Sequence, residues 1–183
     1  MDTLSDNALM LKVKDGDFDK MSLLFERYHQ ALFGFVFHMT RQKESSEDIV
    51  QNVFLRMLQY RKNFAGTGEF KTWMYHLARN VLSDHFKKNK RIPQHYNVHD
   101  FEEKITAEHL TDMLVEKKQE LKTLQMAMEA LSDHNRELLI LCRYQELKYH
   151  EVAGILGITE AAVKVRMHRA LIQLKSNYIK IAN

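Results

Sequence analysis

The sequence predicts an all-α protein of two small helical domains joined by a flexible acidic linker, the second domain containing a helix-turn-helix. Three observations carry that expectation. The 183 residues include one proline and six glycines, so helices can run long with few turns. β-branched residues do not gather into the alternating runs that a sheet requires. Residues 148–174, KYHEVAGILGITEAAVKVRMHRALIQL, place apolar side chains at helical spacing on both sides of a glycine. A composition 45% hydrophobic and 10% aromatic is enough to fill helical cores.

The first helix is expected over 5–14, ended by Gly16. A second begins near Phe18 and continues through LLFERYHQALFGFVFHM, apolar on several faces and therefore largely buried. Ser45 with Asp48 resembles a capping box, and a helix runs from there to about Lys62 on a core stripe of Ile49, Val50, Val53, Phe54, Met57 and Leu58. Residues 63–70, NFAGTGEF, read as a loop with two glycines. Another helix spans about 71–88, its core stripe Phe70, Trp73, Met74, Leu77, Ala78, Val81 and Leu82. Pro93 closes a first domain over 1–93. Residues 94–116 form the linker, and 117–183 a second domain of three or four helices. Within it Val152, Ala153 and Leu156 share a face, Gly157 makes the turn, Ile158 plugs the corner, and Thr159 caps the next helix. Val163, Met167, Ala170, Leu171 and Leu174 form the buried face of that helix.

Net charge is only +3, and its distribution is more informative. Residues 71–91 carry six Lys/Arg against one Asp, and residues 160–183 carry five against one Glu, whereas 92–116 carry six Asp/Glu against one Lys. Cys142 is the single cysteine, in an apolar run, and reads as an inert buried thiol with no internal disulfide available. No stretch reaches the ~18 apolar residues of a membrane span, and the N-terminus does not read as a signal peptide. A cytoplasmic protein is expected. His95 and His99 are four apart but have no fixed third ligand. Glu102, Glu103, Glu116 and Glu120 read as surface charge. No catalytic motif or phosphate-binding glycine loop occurs, so no catalytic residue, metal or cofactor is expected.

Three constellations remain. Asp48, Gln51, Asn52 and Leu55 lie at i, i+3, i+4 and i+7, opposite the core stripe, and suit a protein-binding face; an ordinary solvated face is the plainer alternative. Gly66 lets the backbone approach a ligand, with Thr67 beside it and Phe64 near enough to stack on a base. Thr72, His76, Arg79, Asn80, Ser83 and Lys87, followed by Lys88, make a polar and basic stripe that suits single-stranded or partly melted nucleic acid. A solvated basic face is again the alternative. Finally, Ala161, Lys164, Val165 and His168, flanked by Arg166 and Arg169 and led by Thr159, face outward on the last helix, as the DNA major groove requires.

In order, these segments resemble a bacterial RNA polymerase sigma factor of the extracytoplasmic-function type. GDFDKMSLLFERYHQALFGFV is similar to the opening of the family's region 2, and SEDIVQNVFLRML to its polymerase-docking helix. NFAGTGEFKTWMYHLARNVLSDHFKKNKR resembles the stretch that melts and reads the −10 element, and ALSDHNRELLILCRYQELKYHEVAGILGITEAAVKVRMHRALIQLK resembles region 4, which reads the −35 element. Two departures stand out. Glu146-Leu147-Lys148 replaces a common Gly-Leu-Ser, which bears on the local turn. Lys164-Val165-Arg166 replaces Lys/Arg-Ser-Arg, so a methyl-contacting side chain stands where a hydrogen-bonding one is usual.

The resemblance implies a factor that binds core RNA polymerase through the clamp of its β′ subunit and the flap of its β subunit. On this view Asp48, Gln51, Asn52 and Leu55 meet polymerase. Phe64, Gly66, Thr67 and the Thr72–Lys88 stripe meet the −10 strand, and the residues from Thr159 to Arg169 meet the −35 duplex. An anti-sigma protein is a further implied partner, with no membrane insertion of this chain. Two other readings stay open on residues alone: a helix-turn-helix regulator that recruits nothing, and a helical nucleic-acid-processing enzyme. The acidic linker, net −5 over 92–116, is expected to mimic nucleic acid in a polymerase channel or to screen the basic domains; solubility and extension alone would also explain it.

Overall fold

The computed structural model describes residues 4–89 and 112–183, and every regular element among them is helical. Of the linker expected over 94–116, residues 94–111, with Pro93, lie outside these residues, and 112–116 are helical. The N-terminal half contains α1 (Asp6–Lys14), α2 (Lys20–Thr40), α3 (Lys43–Gln59), a short 3₁₀ turn (Arg61–Asn63) and α4 (Phe70–Asn89). The C-terminal half contains α5 (Asp112–Glu129), α6 (Asp133–Leu139), a π-helical turn (Ile140–Tyr144), α7 (Tyr149–Leu156) and α8 (Glu160–Ala182).

Local chemistry sets several boundaries. Ser5 caps α1, its Oγ accepting from Ala8 N at 3.2 Å. Thr159 caps α8 in the same way through Ala162 N at 3.2 Å. Each supplies an acceptor to a first-turn N–H that has none within the helix. Gly157 ends α7 with φ +65°, the left-handed value expected of it. Glu146 also takes a left-handed φ, +52°, so the chain makes with a glutamate the bend for which glycine is better suited. Glu151 Oε2 accepts from Lys148 N at 2.8 Å, closing the half of a capping box that a lysine permits.

Three expectations need correction. α3 starts at Lys43 rather than Ser45. Ser46, fully buried, bonds Thr40 Oγ1 at 2.8 Å and ties the start of α3 to the end of α2, while Ser45 Oγ donates to Gln42 Oε1 at 2.8 Å. Leu171 is exposed rather than part of the α8 core, because the buried stripe is the narrower Val163, Met167 and Ala170. Ile155, not singled out in the sequence, is fully buried with Val152 at the centre of the helix-turn-helix.

The N-terminal core is built from Leu9, Met10, Val13, Leu24, Leu32, Phe35, Val53, Met57, Met74 and Ala78. The C-terminal core uses Met128, Leu138, Ile140, Val152, Val163 and Met167. The two merge into one buried cluster. α4 lies against α7, and α2 against α6 and the π turn. At this seam the ring of Tyr75, 2% exposed, meets Phe35 edge-on at 5.3 Å, and its hydroxyl donates to Gln145 Oε1 at 3.0 Å. Burial pushes the Tyr75 phenol well above its usual range, so it stays a neutral donor.

Candidate nucleic-acid interface

The last two helices assemble as the sequence implies. α7 and α8 meet through Val152, Ile155, Val163 and Met167, with Ile158 partly buried at the corner. That packing turns Ala161, Lys164, Val165, Arg166, His168 and Arg169 outward, all exposed, with Thr159 exposed at the cap. Lys164 Nζ bonds Glu160 Oε1 at 2.9 Å, one turn away, which holds the lysine above its ordinary range and the glutamate below its own. Lys164 is thus held by a partner on its own helix, whereas Arg166 and Arg169 form no ion pair among the described residues. The 51% exposed Val165 is an apolar spot in a polar face, suited to a thymine methyl.

α3 presents its second face as expected. Asp48, Gln51, Asn52 and Leu55 are all exposed. Leu55 is 61% exposed, an apolar side chain left open beside polar neighbours. Asn52 Nδ2 donates to Asp48 O at 3.0 Å, so part of this stripe is fixed in place. One residue on, Arg56 Nη2 bonds Asp84 Oδ2 of α4 at 2.7 Å and holds the Asp84 carboxyl below the usual carboxylate range. The helix carrying Leu55 is thus joined by an ion pair to the helix carrying the basic stripe.

The loop before α4 differs from expectation in one respect. Phe64 is 3% exposed, packed on Phe70 and Trp73 with ring centroids 6.3 and 5.2 Å away. It plugs the core beneath the loop and offers no face to a base. An apolar ring at the edge of a glycine-containing loop cannot be assigned to solvent or core by spacing alone; its burial follows from the aromatic pair in the first turn of α4. Gly66 takes φ +75°, and Thr67 is exposed at the crest.

The α4 stripe is divided. Asn80, Ser83, Lys87 and Lys88 remain on the open side. Thr72 and Arg79 instead face the C-terminal half, and His76, still exposed, reaches toward it. Thr72 packs on Gly154, where an added Cβ would stand 3.3 Å from Thr72 Cγ2. His76 Nε2 lies 3.1 Å from Gly154 O. Arg79 donates to Glu137 Oε1 at 2.7 Å, to Glu137 Oε2 at 3.4 Å and to Ile155 O at 3.0 Å. Lys71 and Glu151 approach to 3.8 Å beside them. The stripe is one face of one helix, as the sequence implies, but half of it is occupied by α6 and α7. Glu137 is the residue that sequence reasoning missed. The available signal was a carboxylate set directly before the apolar run LLILC, where a buried charge needs a partner.

Among the described residues no cluster of ligating side chains fits a metal, and no helix is long and apolar enough to cross a membrane. Cys142 is half-buried, and burial pushes its thiol up to about 11, which leaves it unreactive near neutrality.

Comparison with known proteins bears on this arrangement. Residues 24–92 match Sigma-70 region 2, and residues 121–174 match Sigma-70, region 4. The extracytoplasmic-function RNA polymerase sigma factor SigX of Bacillus subtilis is 30% identical over 162 residues, spanning 87% of this chain and 84% of SigX. The RNA polymerase sigma factor YlaC of the same organism is 27% identical over 169 residues, covering 88% of this chain and 94% of YlaC. Among solved structures, CnrH in complex with the cytosolic domain of CnrY superposes with a TM-score of 0.71 at 19% identity, over 93% of this chain and 95% of that one. The sigma factor RpoE of Bartonella quintana, in complex with the anti-sigma factor NepR, gives 0.64 at 22% identity, over 91% and 99%. Those two likenesses show the shared all-α fold. Both halves of the chain, in order, and a relative matched over most of its length agree with the helices described above: the chain belongs to the extracytoplasmic-function sigma factors, non-enzymatic transcription initiation factors that recognise promoters for RNA polymerase.

Proposed function

We propose that the work of promoter recognition is divided along the chain as follows. Residues 1–93 form the domain that binds core RNA polymerase and the −10 element, 94–116 the linker, and 117–183 the domain that binds the −35 element. The α8 face carries the reading: five exposed side chains, Lys164, Val165, Arg166, His168 and Arg169, stand on a helix locked from behind by Val163 and Met167. Arg166 and Arg169 neutralise phosphates and set register, while Lys164 and Val165 meet base edges.

Asp48, Gln51, Asn52 and Leu55 meet the clamp of the β′ subunit. Leu55 supplies an apolar anchor and the polar neighbours supply direction, and the flap of the β subunit takes the C-terminal domain. Gly66 and Thr67, with Thr72, His76, Arg79, Asn80, Ser83, Lys87 and Lys88, meet the −10 strand. Because Thr72, His76 and Arg79 are engaged by α6 and α7, the −10 surface is complete only after the halves separate. Binding polymerase supplies the differential affinity for the open arrangement. An anti-sigma protein would act on the same equilibrium from the other side; RpoE is solved with an anti-sigma factor, and CnrH with the cytosolic domain of CnrY. The chain works in the cytoplasm, where RNA polymerase is, and carries out no chemistry of its own.

Reconstitution tests this reading. The purified chain, mixed with core RNA polymerase, should form a holoenzyme that initiates from a defined start on its own gene's upstream region or on genomic fragments. A chain that binds duplex DNA but is not retained by core polymerase would instead be a plain helix-turn-helix regulator.

A further inference from the structure

α1 has two working faces. Leu9, Met10 and Val13 are buried. Asp6 accepts from Arg27 Nη1 at 2.7 Å and from the Tyr28 hydroxyl, which fixes the helix to α2. The other face is Asn7, Leu11 and Lys14, at i, i+4 and i+7, one stripe of an α-helix. All three residues touch the loop that precedes α4. Asn7 Nδ2 donates to Gly68 O at 2.9 Å, and Asn7 Oδ1 accepts from Phe70 N at 2.8 Å. Lys14 Nζ donates to Phe64 O at 2.7 Å. Between these anchors Leu11 lies over Gly66, so close that a Cβ on that glycine would stand 3.1 Å from Leu11 Cδ2.

These three side chains hold the loop at both ends and in the middle. A segment with two glycines has high conformational entropy and does not keep one shape unaided. The Asn7–Phe70 bond also caps α4 from 63 residues away, supplying an acceptor to a first-turn N–H. The polar grips fall on backbone groups, so the outward side of the loop, Ala65, Thr67 and Glu69, stays exposed. The same geometry accounts for Leu11, an apolar side chain 38% exposed on a surface helix.

We propose that Asn7, Leu11 and Lys14 are positioning residues for −10 recognition: α1 sets the shape in which residues 65–68 meet the unwound strand, so that three side chains touching no DNA govern −10 selectivity. This rests on reading that loop as a −10 contact. The energetic logic is pre-organisation: a loop already ordered does not lose that entropy when the strand binds.

The test uses holoenzyme assembled from the full chain and core RNA polymerase. Its probe is a pool of single-stranded oligonucleotides randomised across the −10 positions. Asn7→Ala and Lys14→Met should each weaken binding of the preferred sequences about fivefold to tenfold, the scale of removing one or two hydrogen bonds, and flatten the base preference. Lys14→Arg, which can still donate to Phe64 O, should keep the native profile. Val13→Ala, which lowers stability from the opposite face of α1, should also keep it. A profile unchanged in Asn7→Ala and Lys14→Met but altered in Thr67→Val would overturn the role of α1 and leave the loop as a −10 contact. A profile unchanged in Thr67→Val and in the glycine variants Gly66→Ala and Gly68→Ala would remove the loop from −10 reading, and the α1 inference with it. Equal flattening in Val13→Ala would reduce the effect to plain destabilisation and also overturn the proposal.

Discussion

Arg79 of α4 donates through Nε to Glu137 Oε1 at 2.7 Å, across the seam between the N-terminal and C-terminal halves. The Glu137 side chain is only 10% exposed, so the pair is largely withdrawn from water. A carboxylate that shielded and left without its partner costs several kcal/mol, whereas the formed pair contributes little net stability. The pair therefore specifies which arrangement the halves adopt more than it strengthens the fold. Glu137→Gln keeps the volume and removes the charge. It should loosen the seam, increase the radius of gyration in solution scattering, and raise binding of single-stranded −10 DNA by the free chain severalfold. A Glu137→Gln protein as compact as the native chain, with unchanged DNA binding, would show that this bond does not guard the α4 stripe.

The proposed polymerase face gives a cleaner separation of stability from binding. Asp48, Gln51 and Leu55 all point away from the core of α3. Substituting Asp48→Ala with Gln51→Ala should change stability by less than about 0.5 kcal/mol and weaken core polymerase binding at least tenfold. Leu55→Ala should do the same by removing the apolar anchor. Thermal melts alongside a polymerase-binding titration check both halves, and native affinity in a well-folded double variant would move the docking face elsewhere.

Phe64 separates stacking from packing. The ring is buried against Phe70 and Trp73, so Phe64→Ala should cost about 3–4 kcal/mol, as large-to-small core changes do. Phe64→Leu should recover most of that stability and leave −10 binding near native. If the leucine variant folded well but failed to hold the −10 strand, the ring would have to leave the core and stack in the complex.

How much of the molecule is legible in its sequence follows from what each residue answers to. The helices, their buried stripes, the Gly157 turn and the Thr159 cap are local or periodic features, and the chain spells them out. The stripe at Asp48, Gln51, Asn52 and Leu55 is legible for the same reason. Phe64, Asn7 and Glu137 are not. Each has its environment set by residues outside its own periodic stretch: Asn7 bonds Gly68 and Phe70, and Glu137 bonds Arg79. No periodicity encodes such pairs. Leu171 fails differently, since spacing puts it on the apolar side while the partner elements cover only the narrower stripe through Met167 and Ala170.

On α8 the salt dependence of binding to a −35 duplex should sort the side chains. Replacing Arg166 or Arg169 should lower affinity and reduce the slope of log K against log salt by about 0.9 for each phosphate that is no longer neutralised. Replacing Val165 should leave the slope alone and change which sequences bind. Lys164→Ala should have a smaller salt effect than either arginine change, because that lysine is already partly neutralised by Glu160 at 2.9 Å. Identical effects of all four changes on every sequence would end the division into positioning and reading residues.

The seam also carries a proton-sensitive ring. The His38 ring of α2 lies against Tyr144 of the π turn, tilted by 37° with centroids 4.1 Å apart. Burial, with the nearby Arg41 guanidinium, pushes His38 down to about 4. The sign follows from that depression. When the halves separate, His38 regains water and returns toward its ordinary value near 6.5, so the open arrangement binds the extra proton. The closed arrangement is favoured fully above about pH 6.5, and loses that advantage progressively as pH falls toward about 4. Solution scattering or a distance label spanning α2 and the π turn should therefore report opening as pH is lowered from about 7 to 5. His38→Phe keeps an aromatic ring against Tyr144 and should abolish that response. A His38→Phe chain that opened over the same pH range would place the sensitive group somewhere other than His38.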